Sequence, residues 1–234
     1  MKPSSRRLAL AYFRQLRDLG EHEILRVSPG AGAHQTACSA EGGSLDAIAR
    51  DIAACTACGL HKGRVRVVPG SGNPTTGLVL VGEAPGEQED CQGLPFVGPS
   101  GRLLRRLLRL AGVSDDSYYI VNVLKCRPPG NRDPLSEEVD ACAPFFHRQL
   151  AALAPRLIIC LGRFAGRQVL ANEDVSIRAM RGNVHQRGGA RVILTYHPSA
   201  LLHRVEFRAD AWRDIKRVRR LMTELGLPRE AVSR

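Results

Sequence analysis

Four cysteines, three polar residues of different type and one long glycine-rich loop hold the chemistry that this sequence offers. Cys55-Thr56-Ala57-Cys58 is a C-x2-C pair; Cys126 follows after 67 intervening residues and Cys142 after 15 more. A local pair with two distant thiols can close a four-thiolate site, for zinc or for an iron–sulfur cluster, and spacing does not separate the two. A C-x-x-C alone also serves redox or structural roles. Cys160 sits inside an apolar run and reads as a small buried hydrophobe, while Cys38 and Cys91 read as adventitious thiols. Glu83, Asn122 and His197 supply a carboxylate, an amide and an imidazole. The carboxylate suits general-base work or the positioning of water. An Asn side chain sets a donor beside an acceptor, which matches the Watson–Crick edge of a pyrimidine. A His in a rigid X-Pro turn can donate to a leaving group or contact a backbone phosphate.

The loop from Gly82 to Gly101 holds four acids within eight residues: Glu83, Glu87, Glu89 and Asp90. That charge repels phosphate and favours a base, a bound water or hydrogen bonds to a neutral heterocycle. Its glycines let backbone approach a ligand closely. Phe96, set among Pro and Gly, offers a stacking face for a nucleobase, or else packs into the core under a structural omega-type loop.

Positioning such groups is the work of a strand–helix alternation. Leu78–Val81, Tyr118–Leu124, Arg156–Leu161 and Arg191–Tyr196 read as apolar strands. Helices are expected from Ser44 toward Cys55, from about Ser100 to Leu110, from Ser136 (a candidate cap) to Leu153, from Gly162 to Leu170, and over 206–225. Nearly all-apolar strands alternating with helices imply an α/β fold with a parallel sheet covered on both faces. Ligands in such folds bind beyond the carboxyl ends of the strands, where Glu83, Asn122 and His197 all stand. Residues 1–27 read as a basic amphipathic helix and 28–43 as a flexible linker, leaving a domain over 44–225 and a tail over 226–234.

The 234 residues suffice for a sizeable core. Lys and Arg outnumber Asp and Glu by 34 to 23, for a net charge of +11. Such an excess attracts polyanions, so nucleic acid leads the partner classes, against a plain solvated basic surface. No apolar run approaches a membrane span, and the basic start carries no signal-peptide cleavage pattern, so a cytoplasmic protein is expected. The odd cysteine count argues against a disulfide framework.

GEAPGEQED with GLPFVGPSGRLL, NVLKCRPPGNRDP and HPSALLH together resemble the three signature regions of the iron–sulfur, family 4 uracil-DNA glycosylases, over roughly residues 45–220. The resemblance implies a three-layer α/β/α sandwich on a four-stranded parallel sheet. It implies a [4Fe–4S] cluster held by Cys55, Cys58, Cys126 and Cys142, which reads as architectural and outside the reaction, with redox sensing the alternative. The implied activity is excision of uracil from deaminated DNA by a monomer. Glu83 would position or activate water and His197 would stabilise the departing uracil anion. Gly82, Ala84, Phe96, Asn122 and Asn131 would form the uracil pocket, with Phe96 stacking, Asn122 reading N3–H and O4, and Glu89 near C5 discouraging thymine. Ser199, His203 and Arg204 would face DNA, and Arg132, with Asn131, would shape the pocket mouth or contact DNA. A relative that bonds covalently to uracil-excised DNA carries a basic, His-containing insertion after strand two; residues 127–134 have neither insertion nor His, which favours turnover. A non-catalytic, metal-stapled nucleic-acid-binding module would have no need of Glu83. A small-nucleotide hydrolase is disfavoured by the lack of a GxxxxGK[ST] loop.

Overall fold

Ser44 opens the first helix: its hydroxyl accepts from the Ala47 N–H at 3.2 Å, and α1 (Leu45–Ala54) buries Ile48 and Ile52, one turn apart. The computed structural model describes residues 44–228. The helix and linker expected over 1–43, Cys38 with them, and the tail beyond 228 lie outside the described residues. In chain order there follow β1 (Ser71–Gly72), β2 (Leu78–Gly82), α2 (Glu87–Gln92), α3 (Pro99–Leu110), β3 (Tyr119–Asn122) and α4 (Ser136–Leu153). Then come β4 (Leu157–Leu161), α5 (Arg163–Leu170), α6 (Ile177–Met180), β5 (Val184–Arg187), β6 (Ala190–Thr195), α7 (Pro198–His203) and α8 (Arg208–Glu224).

All five residues of β2 and of β4 are buried, as expected of strands covered on both faces. The two-residue period of a strand sorts their side chains into two cores. Leu78, Leu80, Leu157, Ile159 and Ile193 pack with Leu104 and Leu108 of α3 and with Ile215 and Val218 of α8. Val79, Val81, Ile158, Cys160, Val192 and Leu194 pack with Phe146 of α4 and Val169 of α5. That is a three-layer α/β/α arrangement, and Cys160 is the buried hydrophobe that its apolar surroundings suggest.

The sheet order is β1-β3-β2-β4-β6-β5. β3, β2, β4 and β6 are parallel, and β1 and β5 flank them antiparallel. The expected four-stranded parallel sheet is thus the centre of a mixed six-stranded one. The two extra strands sit on the edges, where half-exposed sequences such as Val184-His185-Gln186-Arg187 carry no apolar run. Two helices also stand where loop was expected: α2 inside the acidic loop and α7 after His197. Both have six residues, too few for helical periodicity to show. Ser136 is the first residue of α4 and not its cap; Leu135 occupies the cap, and the Glu138 carboxylate accepts from its N–H at 2.9 Å. Among the described residues no helix is long and apolar enough to cross a membrane.

Candidate active site

Strand register brings the chemistry to one edge. Gly82 pairs with Asn122 and Leu161 with Thr195, so the carboxyl ends of the four parallel strands are level. β2 and β4 are neighbours, and the chain leaves β2 toward β3 on one side and β4 toward β6 on the other, which opens a crevice between their carboxyl ends. Glu83, Ala84, Glu89, Phe96, Asn122, Asn131, Arg132, His197 and Ser199 line one open cleft of about 550 Å³ there.

Glu83 is the first residue past β2, and the Leu124 N–H donates to its backbone carbonyl at 3.0 Å, extending the β2–β3 pairing into the crevice. Its carboxyl is raised to about 7, first by burial and second by the Asp133 carboxylate, with the Arg163 guanidinium opposing. Asp133 and Arg163 pair with each other at 2.5 Å.

Asn122 ends β3 at 2% exposure, and its side-chain oxygen is buried with no hydrogen-bond partner. A buried acceptor left unpaired is costly, and it fits a site built to receive a donor from elsewhere. Gly82 makes room for that oxygen. A Cβ there would lie 2.2 Å from Asn122 Oδ1 and 2.7 Å from the Phe96 ring. Phe96 is 6% exposed and holds φ of 55°, a conformation costly for a bulky side chain. The first turn of α3 packs on its backbone so closely that any side chain at Gly101 would collide with the Phe96 carbonyl. The ring is therefore both buried and held at the cleft wall.

His197 caps α7. Its Nδ1 accepts from the Ser199 N–H at 3.2 Å and lies 2.7 Å from the Ser199 hydroxyl. Burial pushes the imidazolium down to about 4. The ring is therefore neutral at pH 7, and because Nδ1 is an acceptor, its one proton sits on Nε2. Its centroid stands 6.0 Å from that of Phe96.

The remaining assignments divide. Glu89 lines the cleft, and its Oε1 accepts from the Gly98 N–H at 2.8 Å, clamping α2 to the start of α3. Asn131 accepts from Arg127 Nε at 2.8 Å. Arg132 lines the cleft too, but its guanidinium bonds both oxygens of the buried Glu138 carboxylate, at 2.5 and 2.9 Å. His203 and Arg204 are exposed at the end of α7 and are not part of the cleft wall. Sequence reasoning missed the Asp133–Arg163 pair. Arg163 directly follows Gly162 at the end of β4, the same strand-end position that singled out the other three residues.

Cys55, Cys58, Cys126 and Cys142 line a second pocket, separate from the cleft, and all are free thiols. Among the described residues no three His, Cys, Asp or Glu converge as they stand to hold a metal ion. The chemistry of the donor set still fits an iron–sulfur group: four thiols on one pocket wall, with cations beside them. Arg64 donates to Cys126 Sγ at 3.4 Å and to the Cys55 carbonyl at 2.9 Å, and Lys125 lines the same pocket. Burial raises the Cys126 thiol and pushes Cys142 up to about 11; Arg64 and Lys125 oppose this.

The model of the uracil DNA glycosylase superfamily matches residues 69–216. A type-4 uracil-DNA glycosylase of Archaeoglobus fulgidus is 45% identical over 182 residues, covering 75% of this chain and 92% of that protein. Its Thermotoga maritima counterpart is 42% identical over 185 residues, covering 78% and 96%. A type-5 enzyme of Pyrobaculum aerophilum matches at 34% over 152 residues, 58% of this chain and 67% of that one. With family model, near-full-length relatives and strand-end cleft in agreement, the chain belongs to the type-4 uracil-DNA glycosylases.

Proposed function

We propose that this protein excises uracil from deaminated DNA by hydrolysing its N-glycosidic bond, leaving an abasic site. The observation that carries the reading is the buried, unpaired Asn122 oxygen beside the Phe96 ring, in one cleft with Glu83 and a neutral His197. Uracil must leave the base stack to be reached. Phe96 then stacks on it. Asn122 Oδ1 accepts from N3–H and the amide nitrogen donates to O4. Cytosine has no N3–H and presents an amine where O4 would be, so the same amide rejects it. Glu89, braced by Gly98, is the wall that excludes a 5-methyl group.

As the bond from C1′ to N1 breaks, the sugar becomes cationic and uracil takes the electron pair. Ionised Glu83 stabilises the cation and aligns the water that bonds to C1′, taking its proton. His197 donates Nε2–H as a hydrogen bond to the uracil oxygen that gathers charge, a role a neutral imidazole fills without transferring its proton. His203, Arg204 and Ser199 face the DNA backbone. Arg132 acts mainly through Glu138, holding the mouth of the cleft.

Cys55, Cys58, Cys126 and Cys142 hold a [4Fe–4S] cluster in this reading. When bound it supplies folding energy and ties α1 to α4 across the end of β3, with no electron entering the reaction. The enzyme works as a monomer in the cytoplasm, on uracil-containing DNA.

Single-turnover excision with saturating enzyme tests the mechanism. Glu83→Gln keeps the shape and removes the charge, so affinity for uracil-DNA stays near normal while the rate falls roughly 10²–10⁴-fold. Excision by Glu83→Gln at the wild-type rate sinks this mechanism. A denaturing gel showing protein covalently bound to DNA would replace turnover with trapping.

A further inference from the structure

Lys125 belongs to neither the cleft nor the thiol set, yet it joins the two. Its side chain is among the largest fully buried ones, at 1% exposure. The ammonium donates to the Asn122 backbone carbonyl at 2.5 Å and stands 5.6 Å from the centroid of the Phe146 ring. Its backbone is held as well: the carbonyl accepts from the Val68 N–H at 2.8 Å, and the residue lines the pocket of the four thiols. Burying an ammonium is costly, and an apolar side chain of equal length would fill the space without that cost. The charge therefore needs a use that filling does not provide.

Asn122 is the last residue of β3, where the chain begins to leave the sheet. Past it, only the Val123 and Leu124 N–H bonds to Gly82 and Glu83 continue the pairing. An amide that reads a base must be held within fractions of an ångström and some 10–20°. Resting on the reading of Asn122 as the uracil reader, we infer that Lys125 is a positioning residue for uracil recognition. Its ammonium grips the Asn122 carbonyl from the core side while its own backbone is tied to Val68 at the wall of the thiol pocket, so the amide meets the base in one orientation. The residue carries the rigidity of the thiol staple into the cleft and touches no substrate.

Lys125→Met in the full chain tests this by inhibition with free uracil, iron content, visible absorbance and affinity for abasic-site DNA. The expected result is a uracil inhibition constant raised about 10-fold or more, since small misplacements of a recognition group are amplified this way. KM should rise more than kcat falls, while iron content and abasic-DNA affinity match wild type. A merely structural role would lower all of these together. Phe146→Leu removes the ring beneath the ammonium without touching a thiol or the cleft, and should weaken uracil inhibition in the same direction by less. It decides the matter if Lys125→Met does not fold. An unchanged inhibition constant in whichever variant folds, or one that weakens only in proportion to iron lost, overturns the proposal. Failure of the wild-type protein to bind or release uracil would instead overturn the glycosylase reading.

Discussion

Replacing Arg163 with Met should move the pH profile of excision, because Arg163 acts on Glu83 by charge. Glu83 is held at about 7 by burial and Asp133, and Arg163 is the cation opposing them. Water activation and cation stabilisation both need the ionised carboxylate, so the rate rises with pH through that value. His197, near 4, is neutral across the whole window and adds no second limb. Without the guanidinium the carboxyl is harder to ionise, so the limb moves to higher pH. Two charges 4 Å apart at an effective dielectric of 20 interact by about 4 kcal/mol, an upper bound here because Arg163 makes its ion pair with Asp133 and not with Glu83. Arg163 and Asp133 are 53% and 66% exposed, so solvent screens most of that. A remainder of roughly 0.7–1.4 kcal/mol corresponds to about half to one pH unit. Single-turnover rates from pH 5 to 9 should then show Arg163→Met roughly 3- to 10-fold slower than wild type at pH 6 and equal to it at pH 9. Asp133→Asn should move the limb down, and the double variant should return close to wild type, burial being the largest cause. A limb that stays put, or moves down, in Arg163→Met refutes the electrostatic argument.

Gly82→Ala would thrust a methyl into Asn122 Oδ1 and the Phe96 ring, so free uracil should cease to inhibit and excision should fall at least about 10²-fold, with the fold intact by circular dichroism. Cys126→Ala should lose visible absorbance and iron together with several degrees of Tm, whereas Cys160→Ala, buried in β4 away from the pocket, should lose stability but keep its colour. A colourless wild-type protein holding one zinc would keep the ligand set and discard the cluster.

The central sheet was legible because buried parallel strands are almost wholly apolar, and Leu78–Gly82 and Leu157–Leu161 have no other reading at that length. Glu83, Asn122 and His197 were legible for the same reason, since a polar residue closing such a run must face the crevice. Arg163 stands at the same kind of position, two residues past β4, but nothing in the sequence shows that a cation there acts on Glu83. The edge strands carried too few apolar residues to announce themselves. Arg132 lines the cleft, but charge alone did not reveal its partner six residues on: its guanidinium pairs with Glu138. Lys125 was invisible for the opposite reason, as a lysine in a basic loop gives no sign that it is 1% exposed.

The order Asn122, Lys125, Cys126 within five residues gives the thiol pocket a reason for its place. A uracil reader at the end of β3 has sheet pairing on one side and a departing chain on the other. The departing side takes only the Val123 and Leu124 bonds from the sheet, because 123–135 hold no strand. Rigidity has to come from outside, and the pocket draws it from two distant segments: Cys55 and Cys58 just past α1, and Cys142 in α4. Closing loops of that length is entropically costly for a chain alone, and a metal group that binds only the folded arrangement offsets it. Losing the group should therefore degrade uracil recognition before it unfolds the sheet. The two cores on the faces of the sheet contain none of the four thiols, whereas the small cluster of Leu60, Leu124 and Cys126 has Cys58 and Cys142 packed against it. Partial iron chelation followed by hydrogen exchange would read that order directly: amides of 122–126 should lose protection while those of β2 and β4 keep it. Simultaneous loss across β2, β4 and 122–126 would mean that the staple holds the whole domain and not the reader in particular.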